Sequence, residues 1–127
     1  KKFIELAGEA AEGIILPAGR LVIVSQLADS HPQKTLLTKY VADYEARFKA
    51  PVSSFGGYAY DALMLIAEAA KLGNSAKPAD IRASLEKLTG YWATTGQFSF
   101  SPNDHNGLTK DAFEMVVIEK GDWKLVN

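Results

Sequence analysis

The chain has 127 residues, 47% of them hydrophobic, which suffices for the core of one ordinary domain. Its 14 basic and 15 acidic residues are spread along the chain and leave a formal net charge of −1, which is no footprint for nucleic acid or a membrane surface. Cysteine is absent, so disulfides and thiolate metal sites are excluded, and no run of 18 apolar residues is present to span a bilayer.

The first residue is Lys rather than Met, and residues 2 to 7 read as the tail of a helix closed by Gly8, as expected of a segment of a longer protein. Glu12-Gly13-Ile14-Ile15-Leu16 reads as a buried strand stopped by Pro17, which has no N–H for a sheet ladder. Leu21 to Val24 is a second apolar run, either a strand or a covered loop. Ala28-Asp29-Ser30-His31-Pro32 reads as a turn, with Asp29 or Ser30 as a cap and Pro32 opening a helix that runs to Phe48. Leu37, Tyr40, Val41, Tyr44 and Phe48 recur on that helix at helical spacing, with Lys34, Lys39, Asp43 and Arg47 facing away.

Residues 55 to 72 form the most informative stretch. From Ala59 to Leu72 only Tyr60, Asp61, Glu68 and Lys71 bring polar atoms, so this helix is apolar almost all round and is expected inside a larger body. Its start offers free N–H groups and a positive dipole end that suit a carboxylate, with Tyr58 and Tyr60 beside it as apolar walls and hydroxyl donors. Gly73-Asn74-Ser75 ends it, and Pro78 and Asp80 open another helix that buries Ile81, Leu85 and Leu88. Gln97-Phe98-Ser99-Phe100 alternates as a half-buried strand does, and residues 101 to 107 form a turn. Residues 113 to 118 and 122 to 126 are strand-like runs, joined through Lys120 and Gly121 as a hairpin.

Four of these pieces, in this order, resemble the C-terminal part of the type I periplasmic binding proteins, the leucine/isoleucine/valine-binding group above all. They are Ala7-Gly8-Glu9-Ala10-Ala11-Glu12-Gly13-Ile14; Asp29-Ser30-His31-Pro32 with its tyrosine-bearing helix; Phe55-Gly56-Gly57-Tyr58-Ala59-Tyr60-Asp61-Ala62-Leu63; and Thr95-Gly96-Gln97-Phe98-Ser99-Phe100 with Asn103-Asp104-His105-Asn106-Gly107 and the final strand. The resemblance implies an α/β fold, the C-terminal portion of a two-lobe protein with both lobes incomplete. Residues 1 to 50 would then belong to the C-terminal lobe, residues 51 to 110 to the N-terminal lobe, and residues 111 to 127 to closing strands that cross back. It also implies a missing N-terminal segment, or a second copy of the chain, to cover exposed sheet edges.

The function implied by the resemblance is a periplasmic or secreted solute receptor of an ABC importer, which binds an amino acid or aromatic acid between its lobes and delivers it to membrane subunits. A sensor or receptor domain of the same fold without a transporter is the alternative. No cofactor and no nucleic acid are implied, and an enzyme is the least favoured class. By the same resemblance Tyr60 faces the cleft and contacts ligand, as against packing between helix and sheet, and Tyr58 and Phe55 line the same cleft. Pro17-Ala18-Gly19 lies either at the cleft or in an ordinary turn. The acidic residue that holds a ligand ammonium in the family would fall before Lys1.

The residues themselves speak for no other chemistry. Asp61 reads as a carboxylate interacting with the helix dipole rather than as a ligand group. His31 and His105 have no partner at metal-ligand spacing, and a calcium loop around Asp104 would need carboxylates where Pro102 and Phe113 stand. Ser53-Ser54 has no histidine near it in sequence, and Glu12, Glu68, Asp80 and Glu86 stand singly. Trp92 and Trp123 read as packing residues.

Overall fold

A computed structural model describes residues 2–126. In chain order it holds α1 (Lys2–Ala7), β1 (Ile15–Gly19), a 3-10 segment (Arg20–Gln26), α2 (Lys34–Phe48), α3 (Ser54–Gly73), α4 (Pro78–Leu85), β2 (Tyr91–Trp92), β3 (Gln97–Phe98), β4 (Phe113–Glu119) and β5 (Asp122–Leu125). The strands form an antiparallel sheet in the order β1-β4-β5 and a separate β2-β3 ribbon.

The β4–β5 hairpin forms where the sequence places it. Lys120 and Gly121 both take positive φ, the two-residue turn whose twist matches the strands it joins. Both of their N–H groups donate to the Glu12 carboxylate, at 2.8 and 2.7 Å. Strand β4 alternates as its period of two requires: Val116 and Ile118 are buried, while Phe113 and Met115 lie on the exposed side. Gln26 extends the sheet without being a strand, since its side chain donates to the Trp123 carbonyl and accepts from the Leu125 N–H.

Several expectations need correction. The first strand begins at Ile15, includes Pro17, which pairs with Met115, and runs to Gly19, so Pro17-Ala18-Gly19 is strand rather than loop. Proline is tolerated because β1 is an edge, and Ile15 is exposed rather than buried because it shares the open face of the sheet with Met115 and Phe113. The Leu21–Val24 run is a kinked 3-10 segment that buries Arg20, Leu21 and Ile23. Helix α2 starts at Lys34, after the Pro32 turn, and neither Asp29 nor Ser30 caps it. Lys34 does not face away, because its ammonium caps the Val24 and Leu27 carbonyls at 2.8 Å each.

Helix α3 has the Ser53 hydroxyl as its N-cap, accepting from the Gly56 N–H, and a left-handed Asn74 at its end. It buries only a stripe, Gly57, Asp61, Leu65 and Ala69, while Phe55, Leu63, Ile66 and Leu72 remain exposed.

Two main cores result. One is built from Leu21, Ile23, Leu27, Leu37 and Val116, with Tyr40, Val52 and Trp123 against it. The other is built from Leu65, Leu88, Ala93 and Phe98, with Phe100 and Leu108 against it. A smaller cluster of Ile4, Ala11 and Ile118 seats α1 on the sheet.

The first turn of α3 lies where these cores meet. A Cβ added at Gly57 would stand 2.8 Å from the Thr94 hydroxyl and 2.9 Å from a Leu21 methyl. Gly57→Ala is therefore expected to lower stability by about 1–3 kcal/mol through overpacking. Chemical denaturation checks this, with Gly121→Ala as a comparison that strains the backbone where a Cβ meets no atom within 4 Å.

Candidate functional site

Asp61 is the most deeply placed acid of the chain, at 2% exposure. It lies two turns into α3, on the same stripe as Gly57 and Leu65, and so points at the second core rather than along the helix axis. Its carboxylate does not serve the helix dipole. One oxygen accepts the Thr94 N–H at 2.8 Å, and the other accepts the Thr95 N–H at 2.7 Å and the Thr95 hydroxyl at 2.6 Å. Three donors to one carboxylate compensate its burial and anchor the loop between β2 and β3.

The same loop is held from the other core by Gln33, just before α2, which is wholly buried. Its amide nitrogen donates to the Ala93 and Thr94 carbonyls at 2.6 and 3.0 Å, and its oxygen faces Arg20 Nη1 at 3.5 Å. Arg20 in turn donates through Nε to Glu114 at 2.7 Å and through Nη2 to the Asp111 carbonyl. These residues form a continuous polar path from the sheet, through α2, to α3. Nothing in the sequence pattern marks Gln33 or Arg20: Arg20 is a single basic residue before an apolar run, and Gln33 is one of several polar residues between His31 and Thr35.

Beside this path lies a small groove of about 160 Å³ lined by Gly19, Leu21, Ser54, Tyr58, Thr94, Thr95 and Phe113. Its walls come from Leu21 of the first core, from Gly19 and Phe113 of the sheet, from the loop that follows the second core's Ala93, and from the first residues of α3. Phe55, 83% exposed, meets the Tyr58 ring edge-on at 6.2 Å. Tyr60 is not part of this groove. It is 43% exposed and meets the Tyr40 ring at 5.0 Å in a tilted contact, in a second groove of about 390 Å³ whose aromatic wall continues through Tyr44 and Phe48. The structure thus brings Tyr58 and Phe55 together and turns Tyr60 to another side of the helix start. The sequence offers a signal for this split, since residues two apart on a helix point in different directions.

Asp104 and His105, the other candidates, have local partners. Asp104 accepts the Asn106 and Gly107 N–H groups, as a turn carboxylate does. His105 faces Glu86 at 3.3 Å on the surface. Among the described residues no group of three or more His, Asp or Glu side chains is arranged to hold a metal, and no helix is long and apolar enough to cross a membrane.

Comparison with known proteins agrees with this geometry. A family model described as periplasmic binding protein matches residues 3–122. No functionally curated protein matches the sequence. An extracellular ligand-binding receptor from Rhodopseudomonas palustris HaA2 superposes with a TM-score of 0.86 at 25% identity, over 98% of this chain and 37% of that one. A periplasmic binding protein type 1 from Bordetella pertussis Tohama I gives 0.72 at 21% identity, over 98% of this chain and 35% of that one. The leucine binding protein LivK from Thermotoga maritima MSB8 gives 0.73 at 20% identity, over 99% and 33%. The chain thus spans about a third of the length of these solved structures.

Two outcomes follow from the polar path. Asp61→Ala leaves buried N–H groups of Thr94 and Thr95 unpaired and is expected to cost about 3 kcal/mol in chemical denaturation. The second concerns His31, whose Nδ1 accepts the Gln33 N–H at 3.1 Å. Burial, and next the Arg20 guanidinium, lower its pKa from the ordinary 6.5, with Glu114 acting in the opposite sense. The fold favours the neutral ring, so this contribution is complete above pH 6.5 and is lost as the pH falls through the lowered folded value. Urea denaturation across that range should show a shallower acid-side loss of stability for His31→Gln than for the unaltered chain.

Proposed function

Because this chain belongs to the periplasmic binding protein family, we propose that it forms part of an extracytoplasmic solute receptor of an ABC importer. It has the type I fold of that family over about a third of the length of its solved neighbours. The family is one of solute-binding proteins, and on this reading the chain contributes walls and hinge rather than bond chemistry. The two cores support a division in which residues 51–110 belong to one lobe, and residues 1–50 with 111–127 belong to the other and to its closing strands. The exposed apolar residues of α3 would then be covered by the remainder of the first lobe, or by a second copy of the chain.

The observation that carries the reading is the groove at the start of α3. It is walled by Leu21 of the first core and by Thr94 and Thr95 of the loop that follows the second core's Ala93, so a ligand seated there touches elements attached to each of the two bodies whose closure would trap it. Its aromatic lining, Tyr58 and Phe113, with Phe55 edge-on to Tyr58 just outside, suits an apolar side chain or ring, and the N-terminal N–H groups of α3 suit a carboxylate. The leucine-binding neighbour supports an amino acid as the ligand class. Its volume of about 160 Å³ is below that of a whole small-molecule site, in keeping with further walls from other parts of the fold.

Calorimetric titration of a receptor of full family length carrying this chain, with L-leucine, L-valine, L-phenylalanine and benzoate, tests the reading. Binding of at least one is expected, and heat from none would refute the ligand class. Tyr58→Ala and Phe55→Ala are expected to weaken that binding about tenfold each, while Tyr60→Ala leaves it within about twofold. Loss of affinity on Tyr60→Ala alone would move the ligand to the groove beside Tyr40.

A further inference from the structure

We propose that Gln33 and Arg20 are positioning residues that together set the width of the groove at the start of α3, and with it the size of ligand the groove accepts. The inference rests on the reading of that groove as part of the ligand cleft, and concerns two residues that do not line its narrow part.

The groove has a floor and an opposite wall. The floor is Thr94 and Thr95, and the wall is Phe113. Phe113 is the first residue of β4 and pairs with Gly19, whereas Thr94 and Thr95 lie outside both strands of their ribbon. β2 ends at Trp92 and β3 begins at Gln97, so the loop between them is held chiefly by side chains. Gln33 bonds its Ala93 and Thr94 carbonyls. Phe113 sits at the very start of β4, flanked by the Asp111 carbonyl and the Glu114 carboxylate, and Arg20 holds both. Gln33 and Arg20 face each other at 3.5 Å. One connected pair of side chains therefore spans from behind the floor to behind the wall, and the distance between floor and wall follows from the length of that pair.

The chemistry of the pair fits this role. One amide nitrogen gives two N–H groups to successive carbonyls while the amide oxygen faces a cation, a combination a hydrophobic side chain of equal volume cannot supply. Asn carries the same groups on a shorter stem and would pull the floor toward Arg20. A wholly buried position is filled at less desolvation cost by an apolar residue, and an interior polar pair of this kind confers a defined register. The Thr94 hydroxyl, buried and without a partner, points to the same place. It lies beside Gly57, where an added Cβ would meet it at 2.8 Å, so this hydroxyl is held by packing and the loop's position there rests on the bonds made by the backbone of Ala93 and Thr94.

The test compares Gln33→Met and Gln33→Glu with Ile23→Val, a change in the first core that touches neither groove wall. Affinities for L-valine, L-leucine and L-phenylalanine are measured in the full-length receptor, and amide hydrogen exchange is followed at Thr94 and Thr95. Both Gln33 variants are expected to change the ratio of affinities for the small and large ligands by about tenfold and to speed exchange at Thr94 and Thr95, whereas Ile23→Val leaves the ratio unchanged. Gln33→Glu keeps the Arg20 pairing and serves if Gln33→Met does not fold. An unchanged ratio, or an equal change in Ile23→Val, overturns the proposal. If none of the ligands binds the unaltered receptor, the cleft reading fails. The exchange rates then decide the positioning role alone: unaltered protection at Thr94 and Thr95 overturns it, and faster exchange upholds it.

Discussion

The four-residue loop Ala93–Gly96 joins the two halves of the chain. The N–H groups of Thr94 and Thr95 are taken by Asp61 on α3, and the carbonyls of Ala93 and Thr94 by Gln33 ahead of α2. No strand ladder reaches it across the junction, so the bonds that cross from one core to the other are largely side chain to backbone. Buried donors and acceptors left unmade cost more than made bonds return. The junction is thus defined by a strict requirement for two particular side chains, where a larger apolar contact would have tolerated many. Gly57 serves the same end sterically, letting the helix start come close enough for Leu21 and Thr94 to meet beside it.

That junction explains why a chain with much exposed apolar surface still has a defined site. Helix α3 buries one stripe in this chain and leaves Phe55, Leu63, Ile66 and Leu72 open, which is unusual for a sequence so uniformly apolar. The groove at its start does not depend on whatever covers that face. It depends on Thr94, Thr95, Ser54 and Phe113, and the polar path from Glu114 to Asp61 fixes the loop and strand start that carry them. Family membership and the place of the groove, between Leu21 of the first core and the loop that follows the second core's Ala93, both support the proposed clamp-like reading.

Much of the fold was legible in the residues. Helices α2 and α4 and the β4–β5 hairpin follow from 3.6 and 2.0 periodicities and from Lys120-Gly121, and α3 from its long apolar run ended by Gly73-Asn74, all local signals. The errors arose where a local rule met a tertiary circumstance. Pro17 ends a central strand but not an edge strand, and edge status belongs to the sheet rather than to the sequence. The Leu21–Val24 run is apolar without period, which does not separate a strand from a 3-10 segment. Tyr91–Trp92 is too short to show any period. Asp61 read as a dipole partner because the helix start is its neighbour in sequence, whereas its true partners lie 33 and 34 residues away. For the site, the aromatic residues at the start of α3 were visible, but their separation into two grooves, and the roles of Gln33 and Arg20, needed coordinates.

A double-mutant cycle on Gln33→Met and Asp61→Asn, read by chemical denaturation, addresses the junction most directly. The two side chains do not touch but hold opposite edges of one loop, so the account requires a coupling energy of at least about 0.5 kcal/mol. Strictly additive losses would mean that each side chain stabilises its own core separately, and that the loop does not join them.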